Sequence, residues 1–224
     1  MQCEIIPAVM PVDRGALATL ADVVRPFAQT VQLDIMDGVF VQGTSWPLAK
    51  GDFEGLRLPY AEEIFWEVHL MVKDPSALGG MFIQAGARRV IAHIEAFTDI
   101  DAAREAFGSW QKGGVQAGVS LLLDTPISAL EELIHDVEVV QVMGIQEIGA
   151  QGRPFDLRAM VRVRELRNRF PQAIISVDGG VNVQNASQLA MSGANRLCVG
   201  SAILKANDPR AAYEGIVRAV ANVP

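Results

Sequence analysis

The stretch VDRGALATLADVVRPFAQTVQLDIMDG, residues 12–38, contains the structural unit that recurs along this chain. Its first part, 13–28, repeats apolar residues at spacings of three and four, which is the pattern of a helix with one buried face. The apolar run 30–35 follows and predicts a short strand that carries a carboxylate, Asp34, near its end. The stretch therefore predicts a helix followed by a buried strand.

The same unit recurs from one end of the chain to the other. Apolar runs predict strands at 3–10, 30–35, 64–72, 89–94, 115–122, 137–143, 173–177 and 196–199. Helical patterns lie at 13–28, from Asp74-Pro75 onward, at 101–110, 127–134, 156–170, 182–191 and 208–221, and within 51–63. Few of the strands alternate strictly, which is typical of parallel sheets covered on both faces. We predict an α/β fold, a single (β/α)8 TIM barrel over 1–224. An open doubly wound sheet is the alternative, although no G-x-G-x-x-G follows the first strand.

Composition narrows the classes of partner. The chain has 224 residues and a formal net charge of −7, with no basic run, so nucleic acid and anionic membrane surfaces are poor partners. It has only two cysteines, which favours a reducing compartment and a cytoplasmic location. The N-terminal segment has no signal-peptide pattern and no run is long enough to span a bilayer.

Polar residues concentrate where the predicted strands end. They are Asp34 and Asp37, His69, His93 and Glu95, the glycine-rich loop 144–152, Asp178, and Gly200-Ser201. Active sites of (β/α)8 barrels lie at this end of the strands. Simpler interpretations stay open: Asp37-Gly38 as a turn, His69 as a buried and hydrogen-bonded side chain, His93 bonded to Glu95, and the two strand-end aspartates paired with Lys or Arg.

Asp34 and Asp178 suggest a specific chemistry. Strands two and seven lie three steps apart around a closed barrel of eight, so their carboxylates would approach a central ligand from opposite sides. An epimerase needs one group to remove a proton from a carbon and another to return a proton to its other face. The enediolate formed beside a carbonyl then needs a metal ion or hydrogen-bond donors to stabilise its charge.

The glycines after strands seven and eight suggest a phosphate site. Gly179, Gly180, Gly200 and Ser201 lie in the two loops that commonly hold phosphate in this fold. Backbone N–H groups can approach an anion closely at glycine. This arrangement would let an acidic protein bind a phosphorylated ligand.

Six segments together resemble the ribulose-phosphate 3-epimerase family. They are LDIMDGVFV (33–41), EVHLMVKDP (67–75), AHIEAF (92–97), VVQVMGI (139–145), ISVDGGVN (175–182) and GANRLCVGSAIL (193–204). The resemblance implies a (β/α)8 barrel of the ribulose-phosphate-binding type. It also implies an isomerase of pentose phosphate metabolism that interconverts D-ribulose 5-phosphate and D-xylulose 5-phosphate.

The resemblance also implies roles for individual residues. Asp34 and Asp178 match the family's acid and base, and with His69 they match ligands of a divalent metal such as zinc, iron, manganese or cobalt. The phosphate contacts match Gly179, Gly180, Gly200 and Ser201, and the loop 146–152 adds Gly149 and Gly152. An apolar floor beside the intermediate matches Met36, Met71 and Met143.

Two departures from the family pattern concern the metal and the substrate. The family has His-x-Asp on strand two where this chain has Gln32-Leu33-Asp34, and Ala8 replaces a serine. Gln32 can still ligate a metal through its carbonyl oxygen, although imidazole is the better ligand for zinc or iron. Three protein ligands plus water or substrate also make a catalytic site.

Two alternative functions therefore stay open. The first is a weak or inactive barrel that binds a sugar phosphate. The second is another phosphosugar isomerase or lyase. Hexulose-phosphate synthases and related decarboxylases use Asp-x-Lys on strand two, whereas Met36 stands here in place of the lysine. A homo-oligomer is also possible.

Overall fold

Eight parallel strands close into a barrel in sequence order. The structure is a computed structural model that describes residues 3–221 and 223. The strands are β1 Glu4–Val9, β2 Thr30–Met36, β3 Phe65–Met71, β4 Arg89–His93, β5 Gln116–Leu121, β6 Val139–Met143, β7 Ile175–Asp178 and β8 Arg196–Val199. Each strand pairs with the next, and β8 pairs back to β1. The predicted (β/α)8 barrel is confirmed, and the open-sheet alternative is wrong.

Helices cover the outside of the barrel. They are α1 Arg14–Val24, α2 Pro75–Gln84, α3 Ile100–Lys112, α4 Arg158–Arg169, α5 Ala186–Met191, α6 Ser201–Leu204 and α7 Pro209–Val220. Aspartate caps start three of them: the side chains of Asp13, Asp99 and Asp208 each accept a backbone N–H from the first turn. Among the described residues, no helix has the length and apolar character needed to cross a bilayer.

Two predicted helices are wrong. Residues 51–63 form turns, because Gly51 and Gly55 adopt positive φ angles of 62° and 59° and interrupt any helix. The Arg14 guanidinium on α1 holds this segment by donating to the Asp52 carboxylate and the Glu54 carbonyl. In 127–134 only a 3-10 turn, Ile127–Leu130, forms. The segment still buries its apolar side chains, so it covers the sheet without a full helix.

The two faces of the barrel wall differ in character. Alternate strand residues such as Val31, Leu33 and Ile35 pack outward in the main hydrophobic core. The other set points into the barrel, because side chains alternate between the two faces of each strand. Many of these inward-facing residues are polar. Buried polar members of this set are Gln32, Asp34, Glu67, His69, His93, Ser120, Gln141, Ser176, Asp178 and Arg196.

A compensated ion cluster fills the amino-terminal end of the interior. We call Glu4, Glu67, Arg89 and Arg196 the lower cluster. The fully buried Glu67 carboxylate accepts from the Arg89 guanidinium at 2.6 Å and from that of Arg196 at 2.5 Å. Burial alone would raise the pKa of Glu67, but the two guanidinium groups outweigh it and hold that pKa below its ordinary value. Opposite charges therefore balance here.

Candidate active site

A cavity of about 530 Å³, including its open mouth, lies at the carboxyl ends of the strands. Asp34 and Asp178 lie in its wall. Asp34 lies two residues before the end of β2, and Asp178 is the last residue of β7. Both point inward because side chains alternate between the two faces of a strand. The predicted phosphate contacts line the same cavity: Gly149, Gly152, Gly179, Gly180, Gly200 and Ser201. The two aspartates and these loop residues therefore lie in the wall of one cavity.

The two carboxylates converge on one imidazole nitrogen. His69 Nδ1 lies 3.4 Å from Asp34 Oδ1 and 3.2 Å from Asp178 Oδ2. His69 is fully buried, and the two aspartates are 6% and 7% exposed. In the described chain neither aspartate is paired with Lys or Arg, so that interpretation is wrong. We call Gln32, Asp34, His69 and Asp178 the upper cluster.

Gln32 bridges the same two carboxylates through its amide nitrogen. Nε2 donates to Asp34 Oδ1 at 2.8 Å and to Asp178 Oδ2 at 3.0 Å. Carboxylates only accept hydrogen bonds, so the NH₂ group must face them. The amide oxygen points away and accepts from Cys198 Sγ at 3.1 Å. In this orientation Gln32 offers donors, and not a ligand oxygen, to the centre of the upper cluster.

Burial and like charge determine the protonation of the upper cluster. Burial, followed by the neighbouring Asp178 charge, raises the pKa of Asp34 to about 6. Burial disfavours the charged form of His69, but hydrogen bonds to Asp178 and Asp34 outweigh it and raise the pKa of His69 to about 9. The upper cluster therefore holds protons more strongly than its separate groups would.

The donor set fits a divalent metal. One ligand atom from each of Asp34, His69 and Asp178 lies within 4.8 Å of the others. Nitrogen and oxygen ligands about 2.0–2.2 Å from a zinc ion are roughly 3.3–3.6 Å apart in tetrahedral geometry. The Nδ1–oxygen separations of 3.2 and 3.4 Å are close to that spacing. The cluster could therefore bind a metal through three protein ligands.

His93 and Glu95 lie directly behind His69. His93 Nε2 is 3.0 Å from His69 Nε2, and His93 Nδ1 is 3.3 Å from Glu95 Oε2. Burial lowers the pKa of His93. Burial raises the pKa of Glu95, but hydrogen bonds from His93 and Thr125 outweigh this effect and leave the pKa below its ordinary value. His93 does contact Glu95, as one interpretation held, and the pair also reaches the upper cluster.

Two of the cavity glycines lie close to neighbouring groups, Gly180 to backbone and Gly200 to a side chain. Gly180 has φ +68°, and a Cβ there would lie 2.7 Å from the Phe155 Cα. A Cβ at Gly200 would lie 2.6 Å from Gln151 Nε2, which donates to the Ala8 carbonyl at 2.9 Å. The loop after β6 thus meets the loops after β7 and β8 and the end of β1 at this end of the cavity.

The three methionines separate into two positions. Met71 and Met143 line the cavity. Met36 packs behind Met71 with Val41, and Met10, Phe40 and Ile148 cover this group. Asp37 forms a turn, since its carboxylate accepts the N–H groups of Val39 and Phe40.

Several cavity residues escaped the sequence prediction. Gln151, Ile148 and Met10 line the cavity, and Gln141 Nε2 lies 3.5 Å from Asp178 Oδ2. A signal existed for Gln141, because it lies two residues before Met143 and so shares the inward face of β6. Loop residues such as Gln151 follow no strand period that could locate them.

The family comparison agrees with this geometry. Residues 4–204 match the model of the ribulose-phosphate 3 epimerase family. The chain belongs to this family. Ribulose-phosphate 3-epimerases are isomerases, so the chain is an enzyme of the epimerase type.

Two curated members of the ribulose-phosphate 3-epimerase family match over most of their length. The cytoplasmic isoform from Oryza sativa subsp. japonica is 34% identical over 210 residues, covering 92% of this chain and 89% of the relative. The enzyme from Bacillus subtilis is 29% identical over 220 residues, covering 95% and 97%.

Solved structures outside the epimerase family share the fold. The 3-keto-L-gulonate-6-phosphate decarboxylase from Vibrio cholerae superposes with a TM-score of 0.76 at 12% identity, covering 100% of both chains. The 3-hexulose-6-phosphate synthase from Salmonella typhimurium gives 0.73 at 16% identity, also over 100% of both. At this identity the likeness shows the barrel alone.

Proposed function

We propose that this chain epimerises a phosphorylated ketose at C3 and interconverts D-ribulose 5-phosphate and D-xylulose 5-phosphate. One observation carries the proposal: Asp34 and Asp178, from strands on different sides of the barrel, converge on one imidazole nitrogen in the cavity wall. Two acids that share one small site can serve the two faces of one carbon.

The proposed step is a proton transfer in two halves. One aspartate, as carboxylate, takes the proton from C3. The C–H electron pair forms the C2=C3 double bond, and the C2 oxygen gains the negative charge of the enediolate. The second aspartate, as carboxylic acid, then gives its proton to C3 from the opposite face while the C2 carbonyl re-forms. Atoms and charge balance, and the aspartates exchange protonation states.

Asp34 suits both halves of this step. A group transfers protons best in either direction when its pKa lies near the working pH. Burial and the Asp178 charge raise the pKa of Asp34 to about 6, so both of its forms are accessible near neutral pH. The Gln32 amide donates to both carboxylates and holds them in register.

A divalent metal would be held by Asp34, His69 and Asp178, with Gln32 as a fourth ligand only if its amide turned over. When bound, the metal would supply Lewis-acid stabilisation of the enediolate oxygen. Zinc, iron, manganese and cobalt all suit a set of one imidazole and two carboxylates.

Gly179, Gly180, Gly200 and Ser201 would receive the phosphate, with Gly149 and Gly152 of the covering loop beside them. Met71 and Met143 would exclude water below the intermediate, with Met36 supporting Met71.

The proposal is tested by a coupled epimerase assay with Asp178→Asn. We expect loss of turnover by at least 10²–10⁴-fold, the usual contribution of a positioned acid or base. Asp101→Asn, at a carboxylate 93% exposed on α3, is the matched control and should keep full activity. Full turnover by Asp178→Asn would exclude the two-acid mechanism.

A second candidate is a barrel that binds the sugar phosphate with weak turnover. The Gln32 orientation favours it, because an NH₂ group faces the place where the family offers imidazole. Absence of turnover with added Mn²⁺ or Zn²⁺, together with retained ribulose 5-phosphate binding, would support it. Gln32→His should then strengthen metal binding and raise activity. Together with the main proposal we propose a cytoplasmic location, which the name of the rice relative supports.

A further inference from the structure

Behind the upper cluster, a chain of hydrogen bonds runs away from the cavity to the end of β5. His69, His93 and Glu95 are its links, and the Leu122 N–H and the Thr125 hydroxyl close it. Both histidines are fully buried. The epimerisation steps above use none of the outer groups.

The direction of these hydrogen bonds is determined by the outer end of the series, at Glu95. Glu95 Oε1 accepts the Leu122 N–H at 2.9 Å and the Thr125 hydroxyl. Since a backbone N–H can only donate, this end of the carboxylate can only accept. Glu95 Oε2 is left to accept from His93 Nδ1, 3.3 Å away. His93 must therefore carry its proton on Nδ1.

The same logic then determines His69. A neutral His93 protonated on Nδ1 has a bare Nε2, and that nitrogen lies 3.0 Å from His69 Nε2. Two bare nitrogens would repel each other, so His69 Nε2 must be the donor. His69 Nδ1, the atom beside both aspartates, also carries a proton in the metal-free protein, because the two carboxylates accept hydrogen bonds from it. Since Nε2 keeps its proton, Nδ1 is the nitrogen that releases a proton and offers a lone pair when a cation binds.

We propose that His93 and Glu95 are positioning residues that hold the His69 proton on Nε2 and so present Nδ1 as a ligand toward Asp34 and Asp178. This inference rests on the proposed function for the use of that ligand, but the proton positions themselves do not depend on it. Ordering of a ligand histidine by an outer carboxylate is a general device, and its loss typically weakens metal binding 10–100-fold.

Glu95→Gln should reverse the chain. The single amide oxygen of the glutamine would still be needed by Leu122 and Thr125, so its NH₂ group would face His93 Nδ1. His93 would then move its proton to Nε2 and confront the His69 Nε2–H. The conflict would remove the proton from His69 Nε2 and leave the remaining proton on Nδ1, where it blocks the ligand site. Glu62→Gln, at an exposed glutamate, makes the same chemical change without touching the chain of bonds.

The experiment is ¹⁵N NMR of the imidazole nitrogens in metal-free protein, combined with Mn²⁺ titration followed by EPR. We expect His93 protonated on Nδ1 in the unmodified chain and in Glu62→Gln. In Glu95→Gln we expect the His93 proton on Nε2 and Mn²⁺ affinity reduced 10–100-fold. His93→Leu, which removes the acceptor, should also weaken Mn²⁺ binding.

Two results would overturn the inference. One is a His93 proton on Nε2 in the unmodified chain. The other is a folded Glu95→Gln variant with unchanged proton positions and unchanged Mn²⁺ affinity. If the unmodified chain lacks epimerase activity yet shows the expected proton pattern, the proposed function fails while the positioning role stands. The NMR readout therefore separates the two failures.

Discussion

The upper and lower clusters are two buried polar groups in one barrel, and they handle charge in opposite ways. In the lower cluster, Glu67 lies between Arg89 and Arg196, and its pKa is held below its ordinary value. In the upper cluster, Asp34 and Asp178 share only an imidazole and an amide, and the pKa of Asp34 rises to about 6. The lower cluster is electrically complete, whereas the upper cluster has excess negative charge.

This contrast distinguishes an ion cluster that stabilises the fold from one that can bind a cation or transfer protons. A buried charge with matched partners helps to stabilise the fold, and removing one partner leaves the other as an uncompensated buried charge. Two like charges held together raise a pKa and weaken the fold, which is typical of sites that bind a cation or move protons. Removing a charge, adding a cation and changing pH each test this contrast.

The largest effect is expected in the lower cluster. Glu67→Gln keeps the side-chain shape but leaves the Arg89 guanidinium without a carboxylate and the buried Arg196 with only the half-exposed Glu4 as an anionic partner. We expect the free energy of unfolding to fall by about 3–5 kcal/mol, measured by urea denaturation. Glu62→Gln should change it by less than about 0.5 kcal/mol. A loss below about 1 kcal/mol for Glu67→Gln would remove the distinction between the clusters.

A bound divalent cation should stabilise the upper cluster. With free Mn²⁺ or Zn²⁺ at 100 times its Kd, the free energy of unfolding should rise by about 2.7 kcal/mol. The gain should shrink sharply in Asp34→Asn, which removes one anionic ligand. A chelator should reverse it. Equal stabilisation of both proteins would place the bound ion elsewhere.

Asp34→Asn should stabilise the metal-free protein while it abolishes turnover. The raised pKa of Asp34, about 6 against an ordinary 3.8, means that its ionised form opposes folding at pH 7. Asn keeps an oxygen for Gln32 and His69 and removes the charge. We expect a gain of about 1–3 kcal/mol, measured by thermal unfolding beside Asp101→Asn. Destabilisation by Asp34→Asn would show that its charge holds the fold.

The pH dependence of metal-free stability should differ in sign between the clusters. Since the folded pKa of Asp34 is raised, its contribution is fully present below 3.8 and is lost as pH rises through about 6. The His69 pKa of about 9 gives a contribution present below 6.5 and lost as pH rises through 9. Glu67, with a lowered pKa, contributes above 4.5 and loses that contribution as pH falls.

The Asp34 slope should not exceed about 1.4 kcal/mol per pH unit. Thermal unfolding from pH 4 to 6 measures it. Asp34→Asn should remove this fall, and Glu67→Gln should leave it in place. An unchanged slope in Asp34→Asn would assign it to another group.

The sequence predicted the barrel and the meeting of Asp34 with Asp178, because strand order in a closed barrel fixes which ends converge. It also carried a signal for the polar interior. In TVQLDIM (30–36), Gln32 and Asp34 alternate with outward apolar residues. The Gln32 amide orientation could not be predicted, since it depends on Cys198, 166 positions away. The link from His69 to His93 depends on the register between the neighbouring strands β3 and β4, and the turns at 51–63 depend on contacts with α1.

The two surfaces of the sheet have different roles: the outward-facing residues form an apolar shell, and the inward-facing residues form a polar lining. The side that meets the helices supplies the apolar packing, the lower cluster adds ion pairs inside the barrel, and the cavity lining supplies the reactive groups. An exchange confined to the cavity lining, such as glutamine in place of histidine at position 32, leaves the apolar packing and the lower cluster untouched. The chemistry of such a barrel can therefore change by single substitutions in the cavity lining while the fold is kept.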